Sequence, residues 1–411
     1  MNLREEAKII IDNALMSAMP DNAVARAIGK MDLEGGRLVL IAIGKAGWSM
    51  AKAAYDNLGD RIDRGVVVTK YHHSMGEIAE CIEICEAGHP VPDENSYSAT
   101  RKAIEAVTGL SEEDKVLFLI SGGGSALFEA PAVSEEEMAD ITKQLLASGA
   151  DITEMNTIRK RLSMVKGGKF ALTCAPAKVY TVILSDIIGD PLDMIASGPA
   201  YPDSTTREDA IAIINKYGLK LSDNAMELMN IETPKELSNV TSFVTGSVKE
   251  LCESARKTAV SLGYEPIFLS ASLNCEAREA GRFLASIVKD HMDTRIPLAF
   301  IAGGETVVHL TGNGLGGRNQ ELALSAAIEL SGLENVLLFS VGSDGTDGPT
   351  DAAGGMVTGE SLGKLKAAGI DANEILKNND AYNALKAIDE LVMTGPTGTN
   401  VNDLTVALIK V

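Results

Sequence analysis

Short apolar runs alternate along the chain with stretches of helical periodicity, and this predicts strands alternating with helices. Strands are expected over residues 37–43, 65–69, 82–86, 115–120 and 179–185. A helix is expected from about Ser49, and others over 93–107 and 134–147, the last opened by a Ser134–Glu137 capping-box pair. This βαβα rhythm argues for a mostly parallel sheet with helices on both faces. Residues 230–240 are polar, contain Pro234 and lack periodicity, so the expected domains are 1–235 and 236–411. Beyond that segment the pattern restarts. Strands are expected at 242–245, 266–270, 298–302, 306–310, 335–341 and 404–409, and helices at 248–262, 275–291 and 319–330. A two-domain α/β protein with a cleft between its domains is the natural architecture. In such sheets ligands gather beyond the carboxyl ends of strands.

Composition narrows the partners. A formal charge of −20 over 411 residues disfavours nucleic acid and anionic membranes. An anionic substrate would then need a few concentrated cations. The five cysteines (Cys81, Cys85, Cys174, Cys252 and Cys275) are odd in number and contain no C-x-x-C, which suits reduced thiols in the cytosol. No uncharged apolar stretch is long enough to span a bilayer, and the charged N-terminus does not read as a signal sequence.

The candidate chemistry lies in loops that follow strands. Residues 312–317 hold four glycines, Gly312, Gly314, Gly316 and Gly317, directly before Arg318 and the expected helix. Glycines let a backbone approach a ligand, a helix N-terminus favours an anion, and an arginine suits a phosphate or carboxylate; the plain alternative is a flexible surface loop. Lys45, in Gly44-Lys45-Ala46-Gly47, can hold a phosphoryl group as a point charge or be a turn lysine, and neither G-x-x-x-x-G-K-[ST] nor G-x-G-x-x-G is present. Ser121-Gly122-Gly123-Gly124-Ser125 can form a backbone anion nest. Arg159, Lys160, Arg161, Lys166 and Lys169 make either a solvated helix face or an electropositive wall. Acidic loops carry Asp186, Asp190, Glu305, Asp344, Asp347 and Asp351, which turn chemistry alone can also explain. His89, between Gly88 and Pro90, is a stiff connector or a ligand contact. Acidic loops facing cationic ones suit metal-assisted phosphoryl transfer.

Taken in order, these segments resemble the MOFRL-type glycerate 2-kinase family over nearly the whole chain. They run from Gly44-Lys45-Ala46-Gly47 through Gly88-His89-Pro90-Val91-Pro92-Asp93, Ile120-Ser121-Gly122-Gly123-Gly124-Ser125 and Met155-Asn156-Thr157-Ile158-Arg159-Lys160 to Ser185-Asp186 and Ala196-Ser197-Gly198-Pro199. They continue with Gly303-Gly304-Glu305-Thr306, Gly316-Gly317-Arg318-Asn319-Gln320-Glu321, residues 342–348 and Thr397-Gly398-Thr399-Asn400-Val401-Asn402-Asp403. The resemblance implies phosphorylation of D-glycerate to 2-phosphoglycerate by ATP with Mg²⁺ or another divalent cation. It also implies an N-terminal Rossmann-like domain, a smaller C-terminal α/β domain and an active site in the interdomain cleft. The family's lysine falls on Lys45 and its arginine on Arg318. In that frame Lys45, Arg318 and Asp186 are the expected catalytic residues, and Asp190, Asp344 and Asp347 the expected metal ligands. Ser121, Gly122, Gly123, Gly124, Ser125, Asn156, Arg159, Glu305, Gly316 and Gly317 would bind substrate or phosphate. Two rivals are an NAD(P)H-dependent hydroxypyruvate reductase and a non-catalytic receptor for a small anion. A homodimer is left open.

Overall fold

The computed structural model describes residues 1–185, 189 and 191–411. Two six-stranded sheets organise the chain. The first contains β1 (Leu38–Ile43), β2 (Arg64–Lys70), β3 (Ile82–Ala87), β4 (Lys115–Ile120), β5 (Lys178–Leu184) and β6 (Val240–Gly246), in the order β3-β2-β1-β4-β5-β6. Strands β1 to β5 pair in parallel, and Ile43 of β1 stands beside Ile120 of β4. This is the doubly wound order, whose switch point lies between β1 and β4, so a crevice opens where the chain leaves those two strands. The Rossmann-like expectation is therefore met.

Alternation across the sheet explains why these runs are almost wholly apolar. Leu38, Leu40 and Ala42 of β1 pack with Trp48, Met50, Ala51 and Ala54 of the helix Gly47–Leu58. Their neighbours Val39, Ile41 and Ile43 face the other way and are equally buried. Behind β4, Phe118, Phe128 and Phe170 meet with ring centroids 4.8 to 5.8 Å apart.

The second sheet contains β7 (Glu265–Leu273), β8 (Leu298–Gly304), β9 (Val336–Gly342), β10 (Gly354–Thr358), β11 (Leu391–Val392) and β12 (Asp403–Ile409), in the order β11-β10-β9-β12-β8-β7. The last strand, β12, inserts antiparallel to both β8 and β9, and only β7–β8 is parallel. Leu298, Phe300 and Ala302 pack under the helices Ala277–Asp290 and Arg318–Glu329, while Ala299 and Ile301 face Leu3–Ala18 and Val248–Ser261.

Three expectations change. Residues 306–310 do not form a strand. Gly304 turns at φ +153, with no room for a Cβ against Leu273, and beyond it only Val307 bridges to Glu276. The expected strand at 242–245 is β6 and joins the first sheet. At 134–137, Ser134 caps its helix through the Glu137 N–H, but the Glu137 carboxylate accepts from Ser222 N–H instead of closing a capping box.

Contacts group the residues into two compact units: Ala23–Leu184 with Asp190–Thr245, and Met1–Asn22 with Ser185–Gly189 and Gly246–Val411. The polar segment 230–240 lies inside the first of these. All five cysteines are free thiols, and no helix among the described residues is long and apolar enough to cross a membrane.

Candidate active site

On the first sheet the loops after β1 and β4 lock together at the switch point. Lys45 N–H donates to Gly122 O at 2.9 Å, and Ala46 N–H to Ser121 Oγ at 3.0 Å. The Ser121 hydroxyl in turn donates to Ile43 O, so this buried serine clips the two loops together. Gly44 sits at φ +106, and a Cβ there would lie 2.3 Å from Ser121 Oγ, so the clip requires glycine. Lys45 O accepts from Thr69 Oγ1 and lies 3.1 Å from His73 Nδ1. The backbone of Lys45 is thus held from three sides. Its side chain is exposed, and among the described residues no carboxylate pairs with its ammonium.

Gly123, at φ +85, is left-handed, and a Cβ there would meet the His89 ring at 3.0 Å and the Lys45 stem at 3.3 Å. His89, Lys45 and the glycine loop therefore share one spot, which favours the ligand-contact reading of His89. Burial lowers the His89 pKa, and the charges of Lys45, Lys70 and His73 lower it further, so the ring is neutral at pH 7. Among the described residues the N–H groups of residues 122–125 have no acceptor, which leaves an anion nest beside the lysine.

The far side of this loop is built from residues the sequence singled out for a different reason. Ser125 Oγ lies 3.0 Å from Ser197 Oγ, and Ser197 donates to Asn156 Oδ1 at 3.2 Å. Ala196 and Ser197 hold φ of +51 and +61, a strained conformation for residues with a Cβ. Arg159 donates to Ser125 O at 3.2 Å. Lys166, fully buried, donates to Ser125 O and Phe128 O at 2.8 and 3.0 Å and pairs with Glu129 at 3.4 Å. Lys160 and Arg161 are also buried and converge on Asp203, while Lys169 Nζ donates to the carbonyls of Lys160, Arg161 and Ser163 at the end of the helix Ile152–Leu162. Burial brings the pKa of both Lys166 and Lys169 down to about 8. The cation run is neither a solvated face nor an open wall. It is an internal ionic frame under the glycine loop, and Arg159 alone of the five combines partial exposure with a bond to that loop.

In the second unit the glycine-rich segment is arranged differently from the expectation. The N–H groups of Thr311 and Gly312 donate to Asn379 Oδ1, Asn313 to Asn378 Oδ1, Gly314 to Asn378 O and Leu315 to Asp380 Oδ1. A Cβ on Gly312 or Gly314 would lie 2.4 Å from residue 378 or 380. Residues 378–380, mostly through their side-chain oxygens, thus take the space and the donors that a ligand was expected to use. The N-terminus of the helix Arg318–Glu329 is occupied as well. Asp347 accepts from Asn319 N–H at 3.2 Å and Gln320 N–H at 2.8 Å, and a Cβ on Gly317 would lie 2.3 Å from it. The group that occupies this helix end is the protein's own carboxyl group.

Arg318 begins the helix with its guanidinium fixed on two carboxylates. Nε and Nη2 bind Asp403 at 2.6 and 3.0 Å, and Nη1 binds Glu305 at 2.9 Å. Burial opposes its charge, but the Asp403 bonds more than offset this, and the pKa rises. Three of five N–H donors are used, and two remain on a side chain that is 32% exposed. Glu305 acts here as a partner of the arginine. Gly316 and Gly317 line a cavity with Arg318.

Of the expected metal ligands, the two among the described residues, Asp344 and Asp347, accept hydrogen bonds from the protein's own N–H groups. Asp347 is 2% exposed, with both oxygens accepting helix N–H groups, and burial pushes its pKa up to about 7. Asp344 is half-buried and accepts from Thr346 N–H. No cluster of three or more His, Cys, Asp or Glu suited to a metal occurs among the described residues. Asp186 and Asp190 lie outside the described residues. Asp403, Glu129 and Ser197, which hold Arg318, Lys166 and Asn156 in place, were not among the residues expected at the site. Asp403 and Ser197 fall in quoted motif segments, and that was their only signal.

Comparison with known proteins shows the family and the fold. Residues 6–230 match a domain of unknown function, DUF4147, and residues 298–403 match the MOFRL family. The chain is 54% identical over 414 residues to the D-glycerate 2-kinase of Thermotoga maritima, covering 99% of each. A solved glycerate kinase structure from Thermotoga maritima superposes with a TM-score of 0.95 over 99% of both chains, at 54% identity. A protein of Agrobacterium vitis, provisionally named a hydroxypyruvate reductase, is 42% identical over all of this chain and 95% of its own. With this likeness spanning the full length and both sheets, the chain belongs to the MOFRL-type glycerate 2-kinase family.

Proposed function

We propose that the protein is a glycerate 2-kinase that transfers the γ-phosphoryl group of ATP to the 2-hydroxyl of D-glycerate. The observation that carries this reading is Lys45. Its backbone is held by the β4 loop, its ammonium has no carboxylate partner among the described residues, and the free N–H groups of residues 122–125 stand beside it. Phosphoryl transfer asks mainly for positioned positive charge on the equatorial oxygens, and that pairing supplies it. Arg318 is the second candidate cation, held by Asp403 and Glu305 with two N–H donors left over. The hydroxyl proton needs a carboxylate acceptor, and Asp186, two residues beyond β5, remains the candidate.

For a divalent cation, Asp347 does not fit, because its oxygens already cap a helix. Asp344 fits as a single carboxylate ligand, with one oxygen left over from the Thr346 bond. Mg²⁺ is commonly held by one or two carboxylates together with substrate phosphates, whose charge it neutralises.

The test is incubation with ATP, Mg²⁺ and D-glycerate, followed by enolase. Phosphoenolpyruvate appearing without an added mutase places the phosphate on C2. The reductase alternative lacks G-x-G-x-x-G after β1, where Gly44-Lys45-Ala46-Gly47 stands. NADH oxidation by hydroxypyruvate without ATP, and no phosphoenolpyruvate, would overturn the kinase reading.

A further inference from the structure

We propose that the cavity beside the glycine-rich loop of the second unit takes the nucleoside end of ATP and not its phosphates. This rests on the kinase reading above. The cavity measures about 790 Å³, within the range of small-molecule sites. Val307, Val308, Leu310 and Pro349 contribute to its walls. Leu310 is 81% exposed and Val307 48%, on a segment that leaves the sheet after Gly304. Aliphatic side chains facing water around a cavity of this size suit a flat aromatic base, which would cover them.

Three arrangements argue against phosphate in the same place. The N–H groups of residues 311–315 are already bonded to residues 378–380. Asp347 holds the helix N–H groups that an oxyanion would use. Arg318, the one cation among the lining residues, is balanced by Asp403 and Glu305. A triphosphate would meet more carboxylate than cation here, and D-glycerate is too small and too charged for this lining. An uncharged base and ribose carry no such penalty. The partly exposed carboxylate of Glu305 and the side chain of Asn313 can accept from, or donate to, ribose hydroxyls or base edges.

The experiment is calorimetric titration of ADP into the full chain and into Leu310→Asp and Val307→Asp, both at exposed side chains, with circular dichroism to verify the fold. The expected result is ADP binding weakened tenfold or more in each variant, with the KM for D-glycerate changed less than about twofold. ADP binding unchanged in both variants, or none to the parent chain, overturns the proposal. A parent chain that forms 2-phosphoglycerate while both variants bind ADP normally would remove this assignment and leave the kinase reading. Loss of ADP binding in the variants of a chain that never phosphorylates glycerate would do the reverse.

Discussion

Lys45 and Arg318 carry the same formal charge in opposite settings. The lysine is exposed and unpaired among the described residues, so its removal should leave the fold unchanged. Lys45→Ala is expected to lower kcat by about 10³-fold, on the scale of losing one oxyanion donor, with the melting temperature unchanged; steady-state kinetics and thermal denaturation test this. Arg318 behaves otherwise, because deleting it strands the buried Asp403. Arg318→Met should therefore lose stability as well as activity. Adding Asp403→Asn should restore stability without restoring kcat, and urea titration beside activity separates the two effects. Asp347 has a third behaviour. Its folded pKa of about 7 exceeds the roughly 3.9 of an unfolded aspartate, so the folded chain holds the extra proton between those values. Stability from this group is complete below about pH 4 and is lost as pH rises toward 7. In Asp347→Asn that decline should flatten, and a pH series of urea midpoints would show it.

At the scale of elements, the glycine-rich loop shows how a correct pattern can carry a different cause. Its four glycines do mark a close approach, but the approaching groups are residues 378–380 and Asp347. Gly314→Ala is thus expected to cost about 1–3 kcal/mol as an overpacking change, measured by urea unfolding. An unaltered midpoint would mean the loop has slack. The strands β1, β4 and β9 were legible because burial on both faces makes nearly every residue apolar. The segment 306–310 is also rich in β-branched and aliphatic residues, but beyond the Val307–Glu276 bridge it pairs with no strand, and pairing is what makes a strand. Residues 354–392 were not read at all. Their helices Ser361–Ala367, Ala372–Lys377 and Ala381–Ala387 have six or seven residues each, too few for a 3.6-residue period to declare itself. The cation run on 159–169 was visible as a cluster. Its burial depended on Asp203 and Glu129, which spacing along one helix does not reveal.

At the scale of the whole molecule, each compact unit has its own interior and a mostly apolar sheet, so unfolding need not be a single step. Trp48, the one tryptophan, is buried in the first unit and donates to Gly76 O. Its fluorescence should follow that unit alone, while far-ultraviolet circular dichroism follows both. Different urea midpoints by the two probes are expected, and coincident ones would show that the units unfold together. The alternation of strands and helices, the loops at strand ends and the family were determined by the sequence alone, because buried faces and glycine turns leave a mark within a few residues. Which charges and N–H groups remain free for a ligand was decided only by tertiary structure. Asp403 reaches Arg318 across 85 positions and Asn379 reaches Thr311 across 68, and contacts at that separation leave no mark on local spacing.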